Sequence, residues 1–185
     1  TLRHSSAASD VYKRQAYKDA SAYALRALVE FRYGSKDCEK TKSFVKKAID
    51  AGGSVDAFTI AGSIYKRCSD LKSAISFYKN ALQLAPNDNG FFITKSLLAA
   101  YYQNNDLDSI ERTIVPKLDI KDIDPVMLGF YSYVLLTKEK DEEAQKFFLK
   151  AKEKGLTRKR LSLFVNYKKV LDEFIEKLKP LGNLD

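Results

Sequence analysis

The chain has 185 residues, of which 45% are hydrophobic and 30% charged, and its formal net charge at pH 7 is +8. This length suits one domain or one short repeat array, and this composition excludes a disordered chain. No run approaches the ~18 apolar residues of a membrane span, so we expect no membrane association. Two cysteines, Cys38 and Cys68, are too few for a disulfide framework, which predicts free thiols, a reducing compartment and a cytoplasmic location.

The opening segment, residues 1–15, is expected to be artefactual or disordered sequence outside the folded domain. Residues 5–15 resemble the translated sequencing adapter seen at the ends of many metagenome-derived reading frames. On that resemblance the true N-terminus is missing, and the remaining 170 residues carry a net charge of +6. The segment also contains His4, the one histidine of the sequence.

The rest of the chain has helical periodicity, and no strand-like alternation with hairpin turns occurs. Turn-forming residues at 52–53, 87–90 and 119–125 separate the apolar-patterned segments. The turns are short throughout, which predicts one continuous stack without a domain boundary. The predicted helices cover residues 16–33, 37–51, 55–67, 70–84, 89–103, 106–117, 124–137, 140–154 and 159–178.

Residues 55–88 contain the clearest internal repeat. Its two helices can approach closely only where small residues face each other, which predicts that Gly62, Ala74 and Ala81 lie in their contact. Large residues one turn away would fill the space beside them, and Pro86 would end the second helix. The full set of positions is Phe58, Ala61, Gly62, Tyr65, Ala74, Tyr78, Ala81 and Pro86. This set resembles the signature of the tetratricopeptide repeat, a helix-turn-helix unit of about 34 residues.

The resemblance extends to weaker copies on both sides, and it implies repeats at 22–54, 55–88, 91–124 and 125–158. The copy at 91–124 is degenerate, since Ile110, Ile114 and Lys117 replace its small-aromatic-small triplet. Residues 159–180 would form a capping helix over the last apolar face. The implied fold is all-α, a right-handed solenoid of helical hairpins.

Residue patterns typical of catalysis are lacking. Without His4, no histidine remains for acid–base or metal chemistry, and no phosphate loop or metal-binding motif occurs. Asp119, Asp122 and Asp124 lack the spacing and the glycine of a calcium loop, so we interpret them as a solvated acidic turn. We expect no enzyme activity, no metal and no cofactor.

In the tetratricopeptide family, the first helix of each repeat lines a concave groove that holds a peptide or a partner protein. The resemblance implies ten partner-binding residues, which are Tyr23, Arg26, Thr59, Ser63, Lys66, Arg67, Phe92, Lys95, Tyr102 and Gln103. Four of them are cations and Glu30 is the one acidic residue nearby, which favours an acidic ligand. Tyr23, Phe92 and Tyr102 would supply aromatic anchoring area. The alternative is that these are ordinary solvated side chains of a basic protein.

The implied function is a cytoplasmic, monomeric protein–protein interaction scaffold. Two other interpretations stay open. In the first, the array is the C-terminal regulatory tail of a larger signalling protein, because residues 96–101 resemble the repeat tails of bacterial nucleotide cyclases. In the second, residues 43–52 and 143–155 resemble the pentatricopeptide repeat of RNA-binding proteins. Gly62 and Pro86 favour the protein-binding relative, so nucleic acid is not the expected partner.

Overall fold

The computed structural model describes the backbone of residues 2–34, 37–88, 91–165 and 168–184, with side chains at Gln15 and from Asp19 onward. Over these ranges the chain is all-helical and contains no strand, which confirms the predicted fold class at that level. The helices are α1 (Leu2–Tyr33), α2 (Cys38–Asp50), α3 (Val55–Arg67), α4 (Leu71–Leu84), α5 (Phe92–Gln103), α6 (Leu107–Ile114), α7 (Pro125–Thr137), α8 (Asp141–Glu153), α9 (Arg158–Ser162) and α10 (Lys168–Leu178).

The first helix is longer than the sequence predicts. The predicted helix starts at residue 16, whereas α1 begins at Leu2, so the structure places the opening segment in a helix instead of a disordered tail. Residues 2–15 contain neither glycine nor proline, and nothing in them interrupts a helix. Their artefactual origin stays a prediction.

Two predicted helices end earlier than expected. The predicted helix at 106–117 ends at Ile114 and continues as a 3-10 turn over Val115–Lys117, because Pro116 has no N–H for an α-helical bond. The predicted closing helix at 159–178 is interrupted after Ser162. There, the N–H groups of Phe164 and Val165 both donate to the Leu161 carbonyl, at 3.0 and 2.9 Å. Both side chains are buried at this turn, which offsets the lost helical hydrogen bonds.

The described helices fall into two compact units, Thr1–Asp88 (unit 1) and Asn89–Asp185 (unit 2). In unit 1, α1 packs against α2 and α3, and α3 packs against α4. In unit 2, α7 packs against α8, α5 contacts α6 and α7, and α10 contacts α7. Most consecutive helices are therefore neighbours within each unit. The single continuous stack and its right-handed turn stay predictions.

Three hairpin turns share one geometry. Ser69, Asn105 and Glu139 each adopt a left-handed conformation, with φ of 61°, 55° and 58°. In each turn the next residue's N–H reaches back five residues to a carbonyl of the preceding helix. These bonds run from Asp70 to Tyr65 (3.0 Å), from Asp106 to Tyr101 (2.9 Å) and from Lys140 to Leu135 (3.0 Å). The same helix ending recurs at intervals of 36 and 34 residues, close to the predicted repeat length of about 34 residues.

The helix pair α3–α4 meets through small side chains, as predicted. Ala74 and Ala81 are completely buried, and Gly62 is also buried. A Cβ atom at Gly62 would lie 2.7 Å from the ring of Tyr78, closer than two carbon atoms can approach, so this position admits only glycine without a shift of the ring. Tyr78 in turn is completely buried.

The two cysteines form a disulfide, so the prediction of two free thiols is wrong. Cys38 begins α2 and Cys68 caps the end of α3, and their Cα atoms lie 5.9 Å apart although 30 positions separate them in sequence. The packing of α2 against α3 brings them together, which no local pattern can show. The expected reducing compartment, and the cytoplasmic location inferred from it, lose their basis in free thiols. No described helix is long and apolar enough to cross a membrane.

Candidate partner-binding surface

The ten predicted binding residues divide between the two units. Unit 1 contains Tyr23, Arg26, Thr59, Ser63, Lys66 and Arg67. Unit 2 contains Phe92, Lys95, Tyr102 and Gln103. Each set is described within its own unit.

In unit 1, three of the predicted residues reach the surface. Tyr23 is 37% exposed, and Arg26 and Arg67 are also exposed. The two guanidinium groups lie over aromatic rings, Arg26 at 4.8 Å from the centroid of Phe44 and Arg67 at 5.9 Å from that of Phe31. A cation over an aromatic face is held by the ring quadrupole and keeps its positive charge toward solvent. These positions therefore present ordered cations.

The two hydroxyl residues of unit 1 are bonded within their own helix. Thr59 donates to the Val55 carbonyl at 2.7 Å, and Ser63 donates to the Thr59 carbonyl at 3.0 Å. The Ser63 hydroxyl oxygen also lies 3.1 Å from that of Tyr78. Because both residues are half-buried and satisfied locally, they offer little to a ligand.

Lys66 is not a surface cation. Its side chain is 2% exposed, and it lies one helical turn beyond Gly62, on the side of α3 that packs. Burial, with a smaller contribution from the neighbouring Arg67, lowers the pKa of Lys66 to about 8. The sequence pattern places this lysine in the groove, but packing removes it from reach of a ligand.

Lys95, in unit 2, is also withdrawn from the surface. It is 8% exposed, its Nζ lies 2.6 Å from Oδ2 of Asp124, and it sits 4.9 Å from the ring centroid of Phe164. Asp124 also caps α7 by accepting a 2.8 Å hydrogen bond from the N–H of Val126. Asp124 is therefore not part of a solvated acidic turn, whereas Asp119 and Asp122 are exposed as expected. The charge of Lys95 is compensated inside the protein.

Phe92 and Tyr102, the two predicted aromatic binding residues of unit 2, differ in exposure. Phe92 is 53% exposed and meets the ring of Phe164 edge-on, with centroids 5.7 Å apart. Tyr102 instead belongs to a cluster with Phe130, Tyr133 and Phe174, at centroid distances of 6.2, 5.1 and 4.9 Å. Burial raises the pKa of the Tyr102 hydroxyl strongly, assisted by Tyr133 and Glu173. Phe92 can therefore contact a partner, while Tyr102 mainly stabilises the fold.

Gln103 follows Tyr102 at the end of α5 and is half-buried. Its Nε2 atom is shielded from solvent and has no hydrogen-bond partner within the part of the chain that the structure describes. A buried amide donor without an acceptor destabilises the folded state.

Two residues of unit 1, Phe44 and Lys47, are absent from the predicted binding residues although they hold or present a cation. The Nζ atom of Lys47 lies 5.6 Å from the centroid of Phe44, the same ring that holds Arg26. Both missed residues are in α2, the second helix of its pair, whereas the repeat resemblance assigns binding to first helices only. The spacing of Phe44 and Lys47, three positions apart on a helix, was the available signal.

Unit 2 also has two shallow clefts with acidic linings. One, of about 520 Å³, lies between the end of α7, the start of α8 and the chain after α10, and is lined by Leu136, Asp141, Glu142, Gln145, Pro180 and Leu181. The other, of about 410 Å³, follows α10 and is lined by Asp172, Glu173, Glu176 and Lys177. Neither lining has the charge that an acidic ligand requires.

Comparisons with known proteins found no match to a family model, to a curated protein or to a solved structure.

Proposed function

We propose that this chain is a protein–protein interaction scaffold, a right-handed solenoid of tetratricopeptide-like hairpins whose first helices bind a peptide or a partner protein. The observation that carries the proposal is the recurring helix ending at Ser69, Asn105 and Glu139. A repeat cannot bury its apolar side alone, so repeats stack, and a stack presents an extended surface suited to an elongated ligand.

The side chains that support this use are the exposed ones on first helices. Tyr23 and Arg26 on α1, Arg67 on α3 and Phe92 on α5 are all exposed. Tyrosine and arginine are the residue types that most often dominate binding free energy at interfaces, because they combine contact area with directional hydrogen bonds. Lys66, Lys95 and Tyr102 contribute to the fold instead.

The test is a quantitative pull-down with the purified chain and two single variants, Tyr23→Ala and Phe92→Ala. We expect each variant to lose bound proteins relative to the unmodified chain, with an unchanged helical circular dichroism spectrum. The matched control is Leu149→Ala, because Leu149 is 48% exposed but lies on α8, a second helix. Retention of the same partners by both variants would overturn the proposal, as would an equal loss in the control.

A further inference from the structure

We propose that Arg26, Phe44 and Lys47 of unit 1 form a recognition site for an acidic peptide segment, one with aspartate or glutamate side chains at alternate positions. This inference rests on the proposed function, since it names the chemistry of the partner and one place where it binds.

The site is built around a single aromatic ring. The guanidinium carbon of Arg26 lies 4.8 Å from the centroid of Phe44, and the ammonium nitrogen of Lys47 lies 5.6 Å from it. The two positive groups are therefore no more than about 10 Å apart. Arg26 comes from α1 and Lys47 from α2, so the packing of two helices creates the pair.

The ring that holds the cations is itself held in place. Phe44 is half-buried and packs against a core cluster that includes Ala27, Val45, Ala61 and Ile64. Two long side chains that rest on a fixed ring have already lost part of their rotamer freedom. Binding a ligand then costs less conformational entropy than it does with freely moving lysines and arginines.

The charge of this pair is not compensated within the described residues, where neither Arg26 nor Lys47 makes a hydrogen bond or an ion pair. Two carboxylates of α1 and α2 contact other lysines, Glu30 with Lys40 at 2.7 Å and Glu39 with Lys42 at 3.1 Å. Residues 16–88, without the opening segment, contain 12 basic and 8 acidic residues and carry a net charge of +4. The local field therefore favours an anionic partner.

The arrangement suits carboxylates of an extended peptide. A guanidinium binds a carboxylate through two parallel hydrogen bonds, and an ammonium binds one as a point charge. Side chains on the same face of an extended segment repeat every ~7 Å, a spacing that lies below the upper limit of about 10 Å on the distance between the charged groups of Arg26 and Lys47. A nucleic acid instead needs a continuous basic track, and here Glu30 and Glu39 interrupt the cations of α1 and α2.

The experiment is fluorescence anisotropy at about 50 mM salt, with the full chain, its disulfide intact, and a labelled peptide of alternating glutamate and serine. We expect Arg26→Gln and Lys47→Gln each to weaken binding about three- to five-fold, the upper part of the range for losing one exposed ion pair. The matched control is Lys46→Gln, which removes the same charge from an exposed position next to Lys47 that is not on the ring. We expect this control to weaken binding less than about two-fold.

Two results would overturn the site. Equal weakening by Lys46→Gln and Lys47→Gln would mean that only the overall positive charge attracts the peptide. Tighter binding of a single-stranded RNA oligonucleotide of equal charge, lost in the same two variants, would assign the surface to nucleic acid. The scaffold proposal fails separately, through the Tyr23→Ala and Phe92→Ala pull-down, and survives if only the peptide measurement is negative.

Discussion

The two units of this chain differ in the groups that their cations contact. In unit 1, Arg26 and Lys47 rest on Phe44 without a carboxylate partner among the described residues. Lys42 sits 5.3 Å from the centroid of Tyr65, and it also forms an ion pair with Glu39. In the described part of unit 2, five cations form ion pairs with carboxylates. The ion pairs there are Lys95 with Asp124, Lys138 with Asp108 and Glu111, Arg158 with Asp172, Lys169 with Glu173, and Lys179 with Glu176.

This difference has a consequence for the outer field of each unit. An aromatic ring positions a cation but leaves its charge in place, whereas a carboxylate positions it and cancels the charge. By composition alone, residues 16–88 carry a net charge of +4 and residues 89–185 carry +2. What a cation contacts therefore decides whether its charge faces solvent or is balanced within the fold.

The cores differ as well. Unit 1 is packed largely through alanines and a glycine, and is cross-linked by the disulfide. Unit 2 is packed through large rings, with Phe130 and Phe174 completely buried and 5.1 Å apart. Four measurements test how far this comparison holds.

The largest effect is expected from Phe174→Ala in unit 2. Removing a buried ring that contacts Tyr102, Phe130 and Tyr133 should lower the free energy of unfolding by roughly 3–5 kcal/mol. Denaturant unfolding gives the loss, and hydrogen exchange should locate it in unit 2. Leu163→Ala, at a position 66% exposed, should change stability by less than about 0.5 kcal/mol. An equal loss of hydrogen-exchange protection in unit 1 would contradict the stated difference between the two cores.

The next effect concerns the cross-link of unit 1. The double variant Cys38→Ser/Cys68→Ser frees a loop of 30 residues, which should cost about 3.5 kcal/mol of stability by the chain-entropy relation. Urea unfolding of the oxidised chain and of the variant measures this difference. Once a reductant has opened the disulfide of the unmodified chain, its unfolding midpoint should match that of the variant. An unchanged midpoint in either case would show that the small-residue core of unit 1 needs no cross-link.

A smaller effect is expected from the buried lysine of unit 1. The pKa of Lys66 is lowered to about 8 from 10.5, so between these values the unfolded chain binds more protons than the folded one. The free energy of unfolding should therefore rise with pH, by about 2 kcal/mol between pH 7.5 and 9.5. Lys66→Met should lose this rise, and Lys46→Met, at an exposed position, should keep it. A parallel pH dependence in all three proteins would refute the shift.

The smallest effect concerns Gln103 in unit 2. Its Nε2 atom has no acceptor among the described residues, so replacing the amide by an apolar group of similar length should remove a desolvation penalty. Gln103→Met should raise the free energy of unfolding by about 1 kcal/mol. Thermal unfolding measures the gain, and Gln83→Met, at an exposed position on α4, should show none. A loss in Gln103→Met would mean that this amide supports the packing of unit 2.

Local patterns in the sequence predict the helices and the contact between α3 and α4. Ala74 and Ala81 are seven residues apart, so helical spacing places them on the same side of α4. The end of α6 could also have been predicted, because Pro116 stands inside the predicted segment. The interruption before α10 depends instead on the burial of Phe164 and Val165, which is decided by residues far away in sequence.

The exposure of the predicted binding residues also depends on residues far away in sequence. Spacing places Lys66 and Lys95 on first helices but does not reveal whether a neighbouring helix covers them. Asp124, the ion-pair partner of Lys95, lies 29 positions further along the chain. Cys38 and Cys68 likewise meet only through tertiary packing. Arg26 is exposed, as a binding residue must be, while Lys47 lies outside the predicted set because it projects from a second helix.

The disulfide has one further consequence, for the response of the chain to force. Because Cys38 and Cys68 are covalently linked, the 29 residues between them cannot extend when the two ends of unit 1 are pulled apart. At the reach of an extended chain, this withholds about 100 Å of length. A molecule stretched in an optical trap should therefore yield that additional length only after reduction.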